Sequence, residues 1–229
     1  MGRVLADGVV EPGGESQLSL DTLRLDSGAA APLGDQACDD LLFVFAGGGS
    51  LDDDPIASGS AALVAVGESA MLTAGAGGLV AIRASIGVAV DLHAPMGPRE
   101  RIVSVDEVQP GKATGSRSFQ VLFGPHNGST RATMFVGYIP PGAAPWHYHL
   151  YEEIVWVWNG TGRYHVAAGT EELADGSAFY LSPREVHIVE NSSPDRELVV
   201  VGIFTPAGSP SAAYLMPDVA ASYSIGPSA

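Results

Sequence analysis

Two imidazoles and a carboxylate crowd one short stretch, Gly142 to Gly160, which reads GAAPWHYHLYEEIVWVWNG. His147, His149 and Glu153 share a parity. On a β-strand side chains alternate faces, so all three would point into one interior. The run that follows, Ile154-Val155-Trp156-Val157-Trp158, is β-branched and aromatic as a strand should be, and Asn159-Gly160 supplies a turn. Two imidazoles and a carboxylate on one face are half of a site for a divalent transition metal. A fourth ligand is needed. Downstream, GSAFYLSPREVHIVEN (Gly176 to Asn191) offers His187, on a strand that returns after the breaker Ser182-Pro183.

Taken together, G-x4-H-x-H-x3-E-x6-G, then a Gly eleven residues before a His followed by x3-N, resembles the paired signature of the cupin superfamily. That resemblance implies an all-β fold of small antiparallel barrels, the jelly roll or double-stranded β-helix. It also implies one metal ion, bound by His147, His149, Glu153 and His187. One departure stands out. The second motif usually reads P-x-G-x-x-H, whereas here Pro183 comes one residue later and Arg184-Glu185 replace the glycine. The turn ahead of His187 is therefore expected to be reshaped. Of the six histidines, three fall on motif positions, which favours a ligand set over a decayed barrel.

The elements that must position these residues come from the whole chain of 229 residues. A content of 46% hydrophobic residues with 29 Gly and 16 Pro suits many short strands and tight turns more than long helices. A net charge of -15 argues against a nucleic-acid partner and against an anionic membrane surface. One cysteine, Cys38, excludes an intrachain disulfide framework. The N-terminus lacks an apolar signal core and no run is long enough to span a bilayer, so the chain reads as soluble and cytoplasmic.

The N-terminal half repeats the pattern without the ligands. Laid over Gly142 to Gly160, AAAPLGDQACDDLLFVFAG (Ala29 to Gly47) puts Pro32 on Pro145, Asp40 on Glu153 and Gly47 on Gly160. The two histidine positions hold Gly34 and Gln36. GESAMLTAGAGG (Gly67 to Gly78) mirrors the second motif, with Gly78 where His187 stands. The fold expected is thus a bicupin, two tandem barrels: a degenerate N-terminal barrel (1–97), a connector (98–117), a metal-binding C-terminal barrel (118–208) and a tail (209–229). The connector carries a short strand at Arg101 to Val105. In the second barrel, strands are expected from Ser118 and over Thr133 to Ile139. The first barrel buttresses the second or supplies a homodimer face, or alternatively holds a metal-free ligand pocket. The tail packs along the outside or covers a barrel mouth.

Three neutral imidazoles and one carboxylate leave a six-coordinate divalent ion with two positions for water, substrate or dioxygen. The resemblance then implies an enzyme acting on a small organic substrate. A non-haem iron dioxygenase is the first expectation. The alternative is a Mn-, Zn-, Ni- or Co-dependent hydrolase, isomerase or decarboxylase, in which the ion acts as a Lewis acid. A third possibility is a small-molecule-binding cupin with a structural metal. Flavonol dioxygenases and oxalate decarboxylases share the ligand set but generally keep ligands in both halves. Tyr151, Tyr180 and Glu185 are the candidate catalytic side chains, by parity or by place beside a ligand. Arg163 is a weaker candidate for an anionic substrate group, and Glu152 is expected to be solvated. Trp156 and Trp158, of opposite parity, are expected at an interface between barrels or subunits. Asn191 is expected to fix backbone.

Overall fold

The structure, a computed structural model, describes residues 10–11, 13–90, 92–113 and 116–215. Among the described residues there is no α-helix, and the one helical element is a 3-10 turn, Val105–Glu107, capped by Ser104. No helix is long and apolar enough to cross a membrane.

In the N-terminal half, β1 (Leu18–Leu25), β2 (Ala30–Leu33), β3 (Cys38–Leu51), β4 (Asp54–Ala57), β5 (Ser60–Val64), β6 (Ala70–Gly87) and β7 (Ile102–Ser104) form one sheet. Its order is β1-β6-β3-β5-β7, with β2 beside β6 and β4 beside β3. The two long strands, β3 and β6, slip register at Val44/Ala46 and Gly47/Gly49. Such bulges bend a strand and carry it from one face of a barrel to the other. Glycine is required at this corner. Gly47 has φ 71°, and a Cβ there would stand 2.2 Å from the Gly78 carbonyl oxygen. Leu33, Leu42, Val44, Leu51, Leu72 and Leu79 fill the space inside.

The C-terminal half runs from β8 (Gly111–Lys112) and β9 (Ser118–Phe123) through β10 (Thr133–Ile139), β11 (Gly142–Ala143), β12 (His147–Tyr148) and β13 (Glu152–Asn159). It continues with β14 (Gly162–Val166), β15 (Gly169–Leu173), β16 (Ala178–Leu181), β17 (His187–Asn191), β18 (Leu198–Thr205) and β19 (Tyr214–Leu215). Two antiparallel sheets result, β16-β13-β18-β10-β9-β8 and β15-β14-β17-β12-β19, with β11 on β17. Val155, Val157 and Val200 from the first sheet pack against Tyr164, Leu173 and Val189 from the second, so the interior lies between them.

Strand parity then decides what faces where. On β13, Glu153, Val155 and Val157 point inward, while Ile154 and Trp156 point the other way. Those outward residues join Met134, Val136, Val201 and Ile203 in a cluster shared with Leu20, Phe43 and Ile82 of the N-terminal half. The largest core therefore lies between the halves, back to back. Trp158 meets Phe43 edge-on at 4.8 Å and Trp156 meets Phe45 at 4.6 Å. Burying one such ring is worth about 1.5–3 kcal/mol. A partly buried ion pair, Asp39 with Arg131 at 3.0 Å, also joins the halves.

Four expectations need correction or detail. His147 and His149 do not share a strand with Glu153: β12 is two residues long, and the chain bends at Leu150–Tyr151 before β13. The alternation survives the bend, with His147, His149, Tyr151 and Glu153 all buried. Gly78 does not occupy the place of His187. It sits at the corner beside Gly47, as Glu197 sits beside Gly160, and the chain opposite Gly34 is Glu68-Ser69. The stretch read as a connector is built into one sheet of each half, through β7 on β5 and β8 on β9. Arg99 with Glu68, and Arg101 with Asp52 and Asp54, pin it down further. Of the tail, residues 209–215 are described, and β19 pairs with β12 at His147↔Leu215 and Tyr148↔Tyr214. Residues 216–229 lie outside the described residues.

Candidate metal centre

The site is assembled from both sheets of the C-terminal half. β12 and β17 place His147 directly across from His187, and His149 follows β12 before the bend. Glu153 reaches in from β13 in the facing sheet. One potential ligand atom from each of His147, His149 and His187 lies within 4.8 Å of the others. Their ring centroids are 4.4 to 5.2 Å apart.

Neighbouring carbonyls fix two of the rings. His147 Nδ1 donates to the Pro145 oxygen at 2.9 Å, and His187 Nδ1 donates to the Glu185 oxygen at 2.8 Å. Since a carbonyl only accepts, the proton sits on Nδ1 and each Nε2 keeps a free lone pair, the state a metal ligand needs. Burial pushes the pKa of His149 and of His187 down to about 3, helped by the other imidazoles, and burial also lowers that of His147. All three are neutral donors at neutral pH.

Glu153 is buried, and its Oε2 lies 3.1 Å from His149 Nδ1. Burial pushes its pKa up to about 8. A carboxylate in such a place is costly without a cation beside it. Its room comes from Gly202, where a Cβ would stand 2.8 Å from Glu153 Oε1 and 2.3 Å from the Phe135 ring. The three neutral imidazoles fit a first-row divalent ion, and Glu153 beside His149 is the carboxylate nearest them that lines the same cavity.

The turn before His187 is reshaped in a specific way. Arg184, standing in place of the motif glycine, takes φ 67°. Its amide donates to the His149 carbonyl oxygen at 2.7 Å and so ties the two histidine-bearing segments together. Asn191 fixes backbone as expected, donating through Nδ2 to the carbonyls of Ile139 and Arg196.

Beside the histidines lies a cavity of about 100 Å³. Its walls are mostly apolar, with Phe119, Phe135, Ile139, Leu181, Val189 and Val200 among them. Tyr151 also lines it, 4.5 Å from the His149 ring and stacked on Phe204 at 4.0 Å. Burial and the neighbouring Glu153 raise its pKa, so it stays a phenol. Tyr138 lines the cavity too, but its hydroxyl is given to Gln120.

Tyr180 and Glu185 are not brought to the cavity. Tyr180 pairs across the sheet with Ile154, on the face turned toward the N-terminal half, and its hydroxyl donates to Glu152 at 2.8 Å. Glu152 is not simply solvated: it also accepts from the Ser16 hydroxyl and the Gln17 amide, tying the halves together. Glu185 folds back on its own turn, accepting from the Ser182 amide at 3.1 Å. Arg163 lies on the outer face, paired with Glu172. His165 is held by Glu190 and Thr170, and His126 is exposed. Trp146 is 41% exposed just ahead of His147.

One cavity residue was missed. Arg117 lies in the stretch read as a connector, yet it lines the cavity and a second, smaller one shared by His147, His149, Pro210 and Ala213. No spacing ties it to the histidines. Its single sequence cue is its place just before β9.

A family model described as "Cupin domain" matches residues 134–204, from the second residue of β10 to near the end of β18. No curated protein matches the chain. Among solved structures, the chain is similar to a point mutant of Bacillus subtilis oxalate decarboxylase, with a TM-score of 0.71 and 16% identity over 88% of this chain and 72% of the other. A structure of the same enzyme concerned with its Mn(II) centres gives a TM-score of 0.71 and 16% identity over 93% and 77%. At that identity the likeness concerns fold. The segment that carries the three histidines matches the cupin domain family, and the chain as a whole shares the all-β fold of those solved structures.

Proposed function

We propose that the chain is a mononuclear metal-dependent enzyme acting on a small organic molecule in its C-terminal half, with iron and dioxygen as the first chemistry. The reading is carried by the convergence of three neutral imidazoles on an apolar-walled cavity that the buried carboxylate of Glu153 also lines. An Fe(II) ion held by such a set supplies dioxygen activation beside a chelated substrate.

The other residues support oxidation over acid–base chemistry. Tyr180 and Glu185, the proton-transfer candidates outside the ligand set, are turned to other partners. Tyr138 is engaged with Gln120, which leaves Tyr151 as the other phenol lining the cavity. A phenol with a raised pKa donates a hydrogen bond to a substrate oxygen and gives up its proton reluctantly. The apolar walls exclude water from whatever reacts between them.

A second reading is a non-redox Mn-, Zn- or Ni-dependent decarboxylase, hydrolase or isomerase, with Tyr151 as the proton source. The Mn(II) centres named for the structurally similar oxalate decarboxylase support it. The test is elemental analysis of untagged protein purified without added metal, beside His149→Ala, followed by oxygen-uptake assays with small chelating acids and diketones. Near-stoichiometric iron, absent from the variant, with oxygen consumed is the expected result. Manganese, zinc or nickel without oxygen uptake moves the function to the second reading. No metal in either protein overturns both.

A further inference from the structure

Among the described residues, Arg117 is a cation with no anion. It is partly buried, and that burial pulls its pKa down from the ordinary guanidinium value. Its one side-chain hydrogen bond there is from Nη2 to the Val189 carbonyl oxygen, at 3.1 Å. Every other arginine whose pKa departs from the ordinary value has an acidic partner: Arg83 has Asp21, Arg99 has Glu68, Arg101 has Asp52, and Arg163 has Glu172.

A partly buried guanidinium with no acidic partner among the described residues leaves room beside it for a compensating charge. Arg117 also lines both cavities, the apolar one and the smaller one that leads under Pro210 and Ala213. A guanidinium carries five N–H donors in a planar fork, so most of that fork remains for a ligand.

We propose that Arg117 is the anion-recognition residue of this site, and that the substrate is a short carboxylate whose carboxylate group Arg117 holds while the metal takes a second oxygen. The inference deepens the metal-enzyme reading and rests on it for that second attachment point. Charge supports it: a divalent ion, Glu153 and Arg117 leave the cavity positive, and an organic anion is what offsets that. Size supports it as well. A cavity of about 100 Å³ has room for roughly three waters, the bulk of an acid of only a few carbons. The apolar walls take the short carbon body, and the exposed side chains of Trp146 and Leu150 are not part of the cavity lining.

The test uses the full chain loaded with Mn(II), with glycolate, pyruvate and oxalate as probes and glycolamide as the uncharged control. Calorimetric titration is run on wild type, Arg117→Gln and Arg117→Lys, each with its metal content measured. The expected result is carboxylate binding to wild type, weakened about tenfold or more in Arg117→Gln and partly restored in Arg117→Lys. Glycolamide should bind all three alike, and metal content should not change. Equal carboxylate affinity in wild type and Arg117→Gln, or no carboxylate binding by metal-loaded wild type, overturns the proposal. Loss of metal from wild type itself, with the Arg117 dependence of binding retained, overturns the metal reading and leaves Arg117 as the anion site. The two failures are thereby distinct.

Discussion

The two halves of this chain place a carboxylate at the same point of the same kind of strand and treat it in opposite ways. Asp40 sits on β3 between Val64 of β5 and Ser85 of β6, and Glu153 sits on β13 between Leu181 of β16 and Phe204 of β18. Both are buried. Asp40 has its oxygens committed: Oδ1 accepts from the Ser85 hydroxyl at 2.7 Å and Oδ2 from the Gly34 amide at 3.2 Å. Glu153 has His149 Nδ1 3.1 Å away and otherwise faces the cavity. Around Gly34 the backbone of Glu68 has closed in so far that a Cβ would lie 2.2 Å from its oxygen, where the other half keeps an imidazole. A buried carboxylate is thus structural where the protein supplies its donors, and where it withholds them the carboxylate is left for the proposed metal.

Experiments that break this comparison should have effects of decreasing size. Chelation has the largest. A ligand present at a thousand times its Kd stabilises the folded state by about 4 kcal/mol, and a chelator should remove a stabilisation of that order from metal-loaded wild type. His149→Ala or His187→Ala should show no such shift and no bound metal, whereas Asp40→Asn should keep both. Denaturant melts with and without chelator, beside elemental analysis, read this directly. A chelator shift that survives in His149→Ala would place the ion elsewhere.

Exchanging the carboxylates sharpens the contrast. Asp40→Ala leaves the Gly34 amide and the Ser85 hydroxyl without their acceptor and should cost about 1–3 kcal/mol, with metal content intact. Glu153→Gln should do the reverse, losing metal affinity while the metal-free protein unfolds at the same or a higher denaturant concentration. A metal-free Glu153→Gln protein markedly weaker than wild type would show that Glu153 too is structural.

Gly202→Ala tests the space that Glu153 needs. Its Cβ would press on the Phe135 ring and on Glu153 Oε1, so overpacking of about 1–3 kcal/mol is expected together with weakened metal binding. The smallest effect belongs to Arg184→Gly. Relieving φ 67° gains about 1–2 kcal/mol, part of which the greater freedom of glycine in the unfolded chain takes back. A net gain of about 1 kcal/mol or less is expected with the Arg184 amide bond to His149 retained. A loss would mean that the Arg184 side chain itself holds the turn.

The sequence by itself determined what depends on neighbours along the chain. Strand periodicity put His147, His149 and Glu153 on one side, and it put Trp156 and Trp158 on the other, where they face the N-terminal half. Residue type put imidazoles in one half and Gly34 and Gln36 in the other. Turn chemistry flagged Arg184-Glu185 as irregular, and Arg184 is where the backbone is strained.

Tertiary structure decided what depends on register between strands far apart in sequence. Tyr180 reads as a cavity residue along its own strand, but pairing with Ile154 turns it to the opposite face. Counting from a glycine matched Gly78 to His187, yet the slip at Gly47/Gly49 carries Gly78 to the corner of the barrel. Arg117 has no local pattern at all. It enters the site because β9 runs beside β10 in one sheet, while the Val189 carbonyl it bonds belongs to β17 in the other. Periodicity is a property of adjacent residues and can be read from them. Which strands become neighbours is set by long-range packing of whole sheets, and no single segment encodes that.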